Sequence, residues 1–221
     1  MTLMRMVYLK PEYPEAYFNK IAEMHASQIH HGLLPQLGIA FLSSLYRQVS
    51  REPQGIVIAA LSGQGLIGFV AGSLDLDMMY KHILVKKGWL LLWCAMPYIL
   101  RLDLLSKAWH VTRYPNKSIE KKNNFQPFQA STPELLSIAV SETFQRQGVG
   151  GKLIAQFECY LRDAGCYHKY RVATNARENA SNAFYRQNGF EMIGTREHND
   201  LTLRVYEKML DFGAIKKKDS A

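Results

Sequence analysis

The chain has 221 residues, 48% of them apolar and 21% charged, with a formal net charge of +8. This is the balance of a globular protein with a real core, and it excludes a disordered or low-complexity chain; the length favours one domain with elaborations. The positive charge would suit a polyanion, but no aromatic–basic interleaving accompanies it and part of it is the tail run Lys216–Lys218, so no nucleic-acid partner is expected.

Cys94, Cys159 and Cys166 lack metal-ligand spacing and are odd in number, which reads as a reduced, cytoplasmic protein. Met1 to Lys10 has no apolar signal-peptide core. The most apolar window, Trp89 to Leu100, is closed by Arg101 and Asp103 at about half the ~20 residues of a spanning helix. No transmembrane segment is therefore expected.

In chain order, Met6 to Leu9 reads as a short strand ending before Pro11. Ala16 to Ile29 follows a helical period through Tyr17, Phe18, Ile21, Met24 and Ile29, and Gly32 and Pro35 break it. Leu37 to Val49 resumes it, with Leu37, Phe41, Leu42, Leu45, Tyr46 and Val49 on one face. Two β-rich runs, Ile56 to Leu61 and Leu66 to Leu74, are joined by Ser62-Gly63-Gln64-Gly65 and predict a hairpin.

The segment 75–133 fits this pattern less easily. Met78 to Lys87 and Trp89 to Leu105 read as helical, with Pro97 as a kink or break, and the polar stretch from Tyr114 to Thr132 reads as a loop. It is taken as an insertion within one domain spanning 1–215, followed by a basic tail, 216–221. The row from Trp89 to Met96 reads as a buried helix or as a peripheral membrane or lipid contact through 89–105.

From Glu134 the pattern sharpens. Leu135 to Val140 is an apolar strand, and Val149 to Ala164 a helix with Val149, Leu153, Ile154, Phe157, Tyr160, Leu161 and Ala164 inward, ended by Gly165. Tyr170 to Thr174, Phe190 to Ile193 and Leu201 to Met209 read as strands, and Ser181 to Gln187 as a short helix stopped by Gly189.

Between the first strand of that region and its helix lies Ser141-Glu-Thr-Phe-Gln145-Arg146-Gln147-Gly148-Val149-Gly150-Gly151-Lys152. A strand feeding a glycine-rich turn that opens into a helix presents free N–H groups and a positive dipole end to an anion. The turn lacks Gly-x-x-x-x-Gly-Lys-Ser/Thr, so it is no triphosphate loop. Its glycine spacing and late position also exclude a dinucleotide-binding turn.

Gln145-x-x-Gly148-x-Gly150 after Leu-Leu-Ser-Ile-Ala-Val resembles the cofactor motif of the GNAT superfamily of acyl-CoA-dependent N-acyltransferases. Asn179-Ala-Ser-Asn182-Ala-Phe-Tyr185-Arg-Gln-Asn-Gly189-Phe190 is similar to that family's second cofactor segment and its FYxxxGF ending. The match spans Glu134 to Leu210. It implies an α/β (α+β type) fold with a central, mostly antiparallel mixed sheet splayed at the cofactor site and flanked by helices. The helical insertion would precede the cofactor-motif strand.

The resemblance implies that N–H groups from Gln147 to Gly151 ring the pyrophosphate of coenzyme A, with Gly148 and Gly150 allowing close approach. Gln145, Arg146, Gln147, Val149 and Lys152 belong to the same turn, and Arg146 and Lys152 add positive charge. The pantetheine arm would pair with the backbone of Ile138, Ala139 and Val140, with Asn175, Asn179 and Asn182 on its other side. The family's asparagine seven positions before the tyrosine is Glu178 here, whereas Asn179 stands six before. Asn179 and Asn182 can also be read as turn and N-cap residues.

Tyr185 is implied as the acid that protonates the leaving thiolate, against a plain packing role beside Phe184 and Phe190. Glu134 is either a general base acting through water or a solvated carboxylate. His25, His30 and His31 are read as bordering the acceptor side rather than as metal ligands, and no metal is expected.

The implied activity is transfer of an acetyl group from acetyl-CoA, as co-substrate, to a primary amine by direct attack in a ternary complex. A small-molecule acceptor such as an amino sugar is favoured over a protein N-terminus, with 75–133 on the acceptor side and the protein a monomer or homodimer. Two alternatives stand beside it: an acyltransferase using a longer acyl-CoA or acyl carrier protein, and a non-catalytic acyl-CoA-binding module.

Overall fold

In the computed structural model, residues 4–29, 34–63, 65–99, 132–165, 168–198 and 201–210 are described. The elements are β1 (Arg5–Tyr8), α1 (Glu15–Gln28), a 3-10 turn (Leu34–Leu37) running into α2 (Gly38–Val49), β2 (Gly55–Ser62), β3 (Gly65–Ser73) and α3 (Leu76–Ile99). After the insertion come β4 (Glu134–Val140), α4 (Val149–Ala164), β5 (Lys169–Asn175), α5 (Asn179–Gln187), β6 (Glu191–His198) and β7 (Leu201–Met209).

The hairpin expected from the Gly-rich turn is β2–β3, closed by the pair Ser62↔Gly65 with Gly65 at φ 95°. It sits inside a seven-stranded sheet of order β1-β2-β3-β4-β5-β7-β6, in which every neighbouring pair is antiparallel except β4–β5. The mostly antiparallel mixed sheet flanked by helices matches the fold class expected from the motif.

Strand alternation sends side chains to two cores. Val57, Ala59, Phe69 and Ala71 point to one face, where α1, α2 and the start of α3 supply Phe18, Ile21, Leu42, Tyr46, Met79 and Ile83. Ile58, Ala60, Ile67 and Val70 point to the other, filled by α4 and by Tyr170, Val172, Tyr185, Phe190 and Tyr206. All six residues expected on the inner face of α2 are buried. In α4 the inward set holds for Val149, Leu153, Ile154, Phe157 and Leu161, while Tyr160 is half-buried and Ala164 is exposed.

Three boundaries differ from expectation. α5 begins two residues earlier, at Asn179, and β6 runs on to His198. The expected helical runs 78–87 and 89–105 join: α3 passes through Gly88 and is described as far as Ile99. Its stem is tied to the body by Glu52, a carboxylate with only 5% of its side chain exposed, which faces His82 Nδ1 at 3.3 Å and Lys86 Nζ at 3.8 Å. The rest of the insertion, the tail, His30 and His31 lie outside the described residues.

Candidate active site

The site starts from the one parallel pair in the sheet. β4 and β5 share two register positions, Glu134↔Arg171 and Leu135↔Val172, and then part. Beyond Leu135, β4 stays with β3 as far as Val140↔Gly68, while β5 stays with β7 as far as Asn175↔Leu203. The register of β3 and β4 shifts at the same place: Gly72 pairs with Leu135 and Ala71 with Ser137, which leaves Leu136 as an extra, bulged residue. A bulge bends its strand and sharpens its twist, which turns β4 away from β5.

Backbone groups in the gap follow from alternation. The N–H of Ser141 bonds the carbonyl of Ile67 on β3, so Ala139 also faces β3, and Ile138 and Val140 present their N–H and C=O to the gap. The Val140 carbonyl accepts from Gln145 Nε2 at 3.0 Å. The N–H of Val140 and both polar groups of Ile138 form the open edge.

The glycine-rich turn closes the wide end of the gap. After a 3-10 turn at Glu142–Phe144, Arg146 has φ 57° and Gly148, the N-cap of α4, has φ 78°. Gln145 Nε2 also donates to Gln28 Oε1 at 3.1 Å, and Gln147 Nε2 to the Thr143 carbonyl at 2.8 Å. The two motif glutamines thus brace the turn from within, one of them against α1. An open cleft of about 370 Å³ lined by Met24, Ser27, Gln28 and Ser141 to Thr143 flanks the turn on that side.

No side chain caps α4, and no acidic residue stands in its first turn. The first N–H groups of the helix are therefore available to an anion, with Arg146 and Lys152 exposed beside them. The glycines divide the labour. A Cβ on Gly148 would meet nothing within 4 Å, so this glycine serves its left-handed backbone. A Cβ on Gly150 would meet the Phe184 ring at 2.8 Å, so this one lets α4 pack on α5.

The three asparagines also part company. Asn182, 2% exposed, donates from Nδ2 to the carbonyls of Asn175 at 2.9 Å and Glu178 at 2.6 Å, and accepts the Tyr206 hydroxyl at 2.9 Å. It staples the first turn of α5 to the end of β5 and to β7. Asn179 is exposed, and the N-cap of α5 is Glu178 rather than an asparagine. Asn175, where β5 ends, accepts the N–H of Arg177 through Oδ1, while its buried Nδ2 has no partner among the described residues. Asn175 therefore has a buried donor left over at the end of β5, beside the gap. Asn182→Ala, which orphans the Tyr206 hydroxyl and frees two carbonyls, should destabilise the fold by about 2–3 kcal/mol, read as a shift in the urea midpoint.

Tyr185 is 6% exposed on α5, and its ring lies between Phe190, at 5.4 Å between centroids, and Tyr206, at 5.9 Å. Its hydroxyl has no hydrogen-bond partner among the described residues, and burial raises its pKa above that of a free phenol. The packing role and the donor role are compatible: the ring is clamped, and the hydroxyl is protonated and unengaged.

Glu134 sits at the apex of the split. Burial raises its pKa; Arg196 and Arg171 oppose the shift, and Asp77 on α3 adds to it. Arg171 Nε donates to Glu207 Oε2 at 2.8 Å, so its charge is shared between two carboxylates. Tyr80, also on α3, is raised by burial and then by the charge of Glu134. The stem of the insertion therefore borders Glu134.

His25 departs from its expected place at the acceptor border. It is 2% exposed in the core under α1, with Nδ1 2.5 Å from the Tyr46 hydroxyl, and burial lowers its pKa to about 4. A helical period that turns position 25 inward outweighs its nearness in sequence to His30 and His31. Tyr46 also meets Ser137 of β4 and has its pKa raised, chiefly by burial. Neither Tyr46 nor Ser137 carries a sequence signal, because their meeting joins α2 to a strand far along the chain. Among the described residues, no three His, Cys, Asp or Glu side chains converge as a metal site would require.

The parted parallel pair, the glycine turn and the bare helix start stand in a fold of the GNAT acetyltransferase type. Residues 119–192 match the family model described as an acetyltransferase (GNAT) domain. No curated protein matches the chain in sequence. Among solved structures it is similar to a GNAT-family acetyltransferase from Streptococcus pneumoniae (11% identity, 95% of this chain and 100% of that one, TM-score 0.56). It is also similar to Arabidopsis thaliana NAA60 in complex with a bisubstrate analogue (13%, 95% and 100%, TM-score 0.57) and to Ard1 from Thermoplasma volcanium (12%, 94% and 97%, TM-score 0.56). At these identities the structures share the fold. The matched segment, together with the shared fold, indicates an acyltransferase of the GNAT acetyltransferase type.

Proposed function

We propose that the protein transfers an acetyl group from acetyl-CoA to the primary amine of a small molecule, an amino sugar being favoured over a protein N-terminus. The observation that carries this reading is the gap between β4 and β5, open from Leu136 onward and ending at the uncapped start of α4. A slot one strand wide with unpaired amides suits an extended amide-containing arm. The helix start suits the pyrophosphate at its end. The thioester supplies the activated acyl group, and the chain supplies the rest.

In this mechanism Glu134, whose raised pKa suits a base, takes a proton from the acceptor ammonium, directly or through water. The N–H of Ile138 or Val140 receives the oxyanion that develops on the thioester carbonyl. Tyr185 gives its proton to the leaving thiolate and is reprotonated by the proton that the attacking nitrogen sheds as the amide forms. No covalent enzyme intermediate is needed, and the bisubstrate analogue held by the Arabidopsis structure is in keeping with a ternary complex. Because Asp77 and Tyr80 of the insertion stem border Glu134, the 75–133 segment is assigned to the acceptor side of one domain spanning 1–215.

Thiol release against a panel of amines tests the activity, and release with none of them would leave only a binding module. The pH profile tests the base. Activity should fall as pH drops through an apparent pKa above the ordinary carboxylate range, because protonation then silences Glu134. Glu134→Gln should lower kcat by about a hundredfold and erase that limb. A wild-type profile in Glu134→Gln would remove the residue from the mechanism.

A further inference from the structure

We propose that His25, Tyr46 and Ser137 act together as positioning residues: they fix the peptide that carries the Ile138 N–H, and that N–H, not the one of Val140, receives the oxyanion. This inference deepens the proposed function and rests on it. Three side chains from three separate elements meet here. His25 Nδ1 of α1 lies 2.5 Å from the Tyr46 hydroxyl of α2, and the same hydroxyl shares a hydrogen bond with the Ser137 side chain of β4. All three residues are buried, at 2%, 4% and 8% exposed. The core around them is apolar, with Phe18, Ile21, Leu42 and Phe69, and the Phe69 ring stands edge-on to Tyr46 at 5.2 Å between centroids.

Burying such a chain has a cost that is not fully offset, because His25 Nε2 has no partner among the described residues. Apolar side chains of similar shape would serve packing at least as well. What the chain reaches is the least-held part of β4. Leu136 is bulged out of the β3 ladder and the β5 pairing ends at Leu135, so Ile138 turns both its polar groups into the gap without a strand partner. A side chain pinned at Ser137 limits how that residue rotates, and with it the Ser137–Ile138 peptide. An oxyanion donor is effective when its direction is set before the reaction. Val140 has another support, since its carbonyl accepts from Gln145 at the border of the turn.

The test reads rate, donor affinity and backbone in the full chain. Tyr46→Phe and Ser137→Ala should each lower kcat by about tenfold or more at saturating donor and acceptor. Coenzyme A affinity, measured by calorimetry, should stay within about twofold, because the glycine turn and α4 are untouched. The double variant should lose no more than its worse single, since either change breaks the same chain. His25→Leu should behave like them, and His25→Asn, which keeps a polar group where Nδ1 stands, should recover most of the rate. In the unliganded protein the amide resonance of Ile138 should move in Tyr46→Phe, which keeps the ring, while that of Val140 stays. Thermal melting checks that each variant is folded at the assay temperature. A folded Tyr46→Phe with wild-type kcat, losses that multiply in the double variant, or an unmoved Ile138 resonance would overturn the proposal. If the wild-type chain acylated no amine, the proposed function would fail, and the resonances would still decide whether the three side chains hold Ile138.

Discussion

Replacing Tyr185 by phenylalanine should lower kcat by about a hundredfold or more and leave the fold in place. The substitution is unusually clean. The hydroxyl has no partner among the described residues, so removing it strands no donor or acceptor, and the ring keeps its contacts with Phe190 and Tyr206. Stability should move by no more than about 0.5 kcal/mol, within the usual range for a change that breaks no contact. Donor affinity should also hold, because protonation of the leaving group is needed only as the carbon–sulfur bond breaks. Burial keeps the phenol protonated across the working range, so the expected result is a uniform loss of kcat and no new pH limb. Turnover near wild type at all pH values would leave Tyr185 as packing alone.

Replacing Gly148 by valine should raise the donor KM by at least about tenfold. Gly148 has φ 78° and ψ 3°, a conformation that costs a β-branched residue roughly 1–3 kcal/mol. Space around the missing Cβ is open, so the strain is in the backbone, and it is relieved by rotating φ to negative values. That rotation turns the N–H groups opening α4 away from a common centre. Gly148→Ala should fall between valine and wild type. Saturating donor should restore most of kcat, since Glu134 and Tyr185 stand on other elements. Unchanged donor affinity in Gly148→Val would separate the turn from donor binding.

The turn was legible in sequence because its physics is local. A glycine at a left-handed position and a helix start without an acidic first turn are written within a few residues of each other. The inner face of α2 was legible for the same reason, through its period. The split between β4 and β5 was legible only through the family resemblance and not from local pattern, because it depends on Glu134 meeting Arg171 in register across an intervening helix. The difference among Asn175, Asn179 and Asn182, which look alike in sequence, was not legible. What separates them is the Tyr206 hydroxyl, brought in from β7. His25 misled because nearness in sequence to His30 and His31 does not set its direction: its helical position turns it inward to Tyr46.

The bulge at Leu136 has a cost that only the folded state reveals. Were β4 straight, the parallel ladder begun at Leu135↔Val172 could run on toward Val140, each added bond contributing about 0.5–1.5 kcal/mol. The protein forgoes that ladder and keeps two raw strand edges facing each other inside its own sheet. An interior edge is shielded from the edge-to-edge aggregation that threatens an outer one, yet it stays hungry for a strand-like guest. Under the proposed function, the donor's arm is the missing rung set of the sheet, and its binding closes the seam.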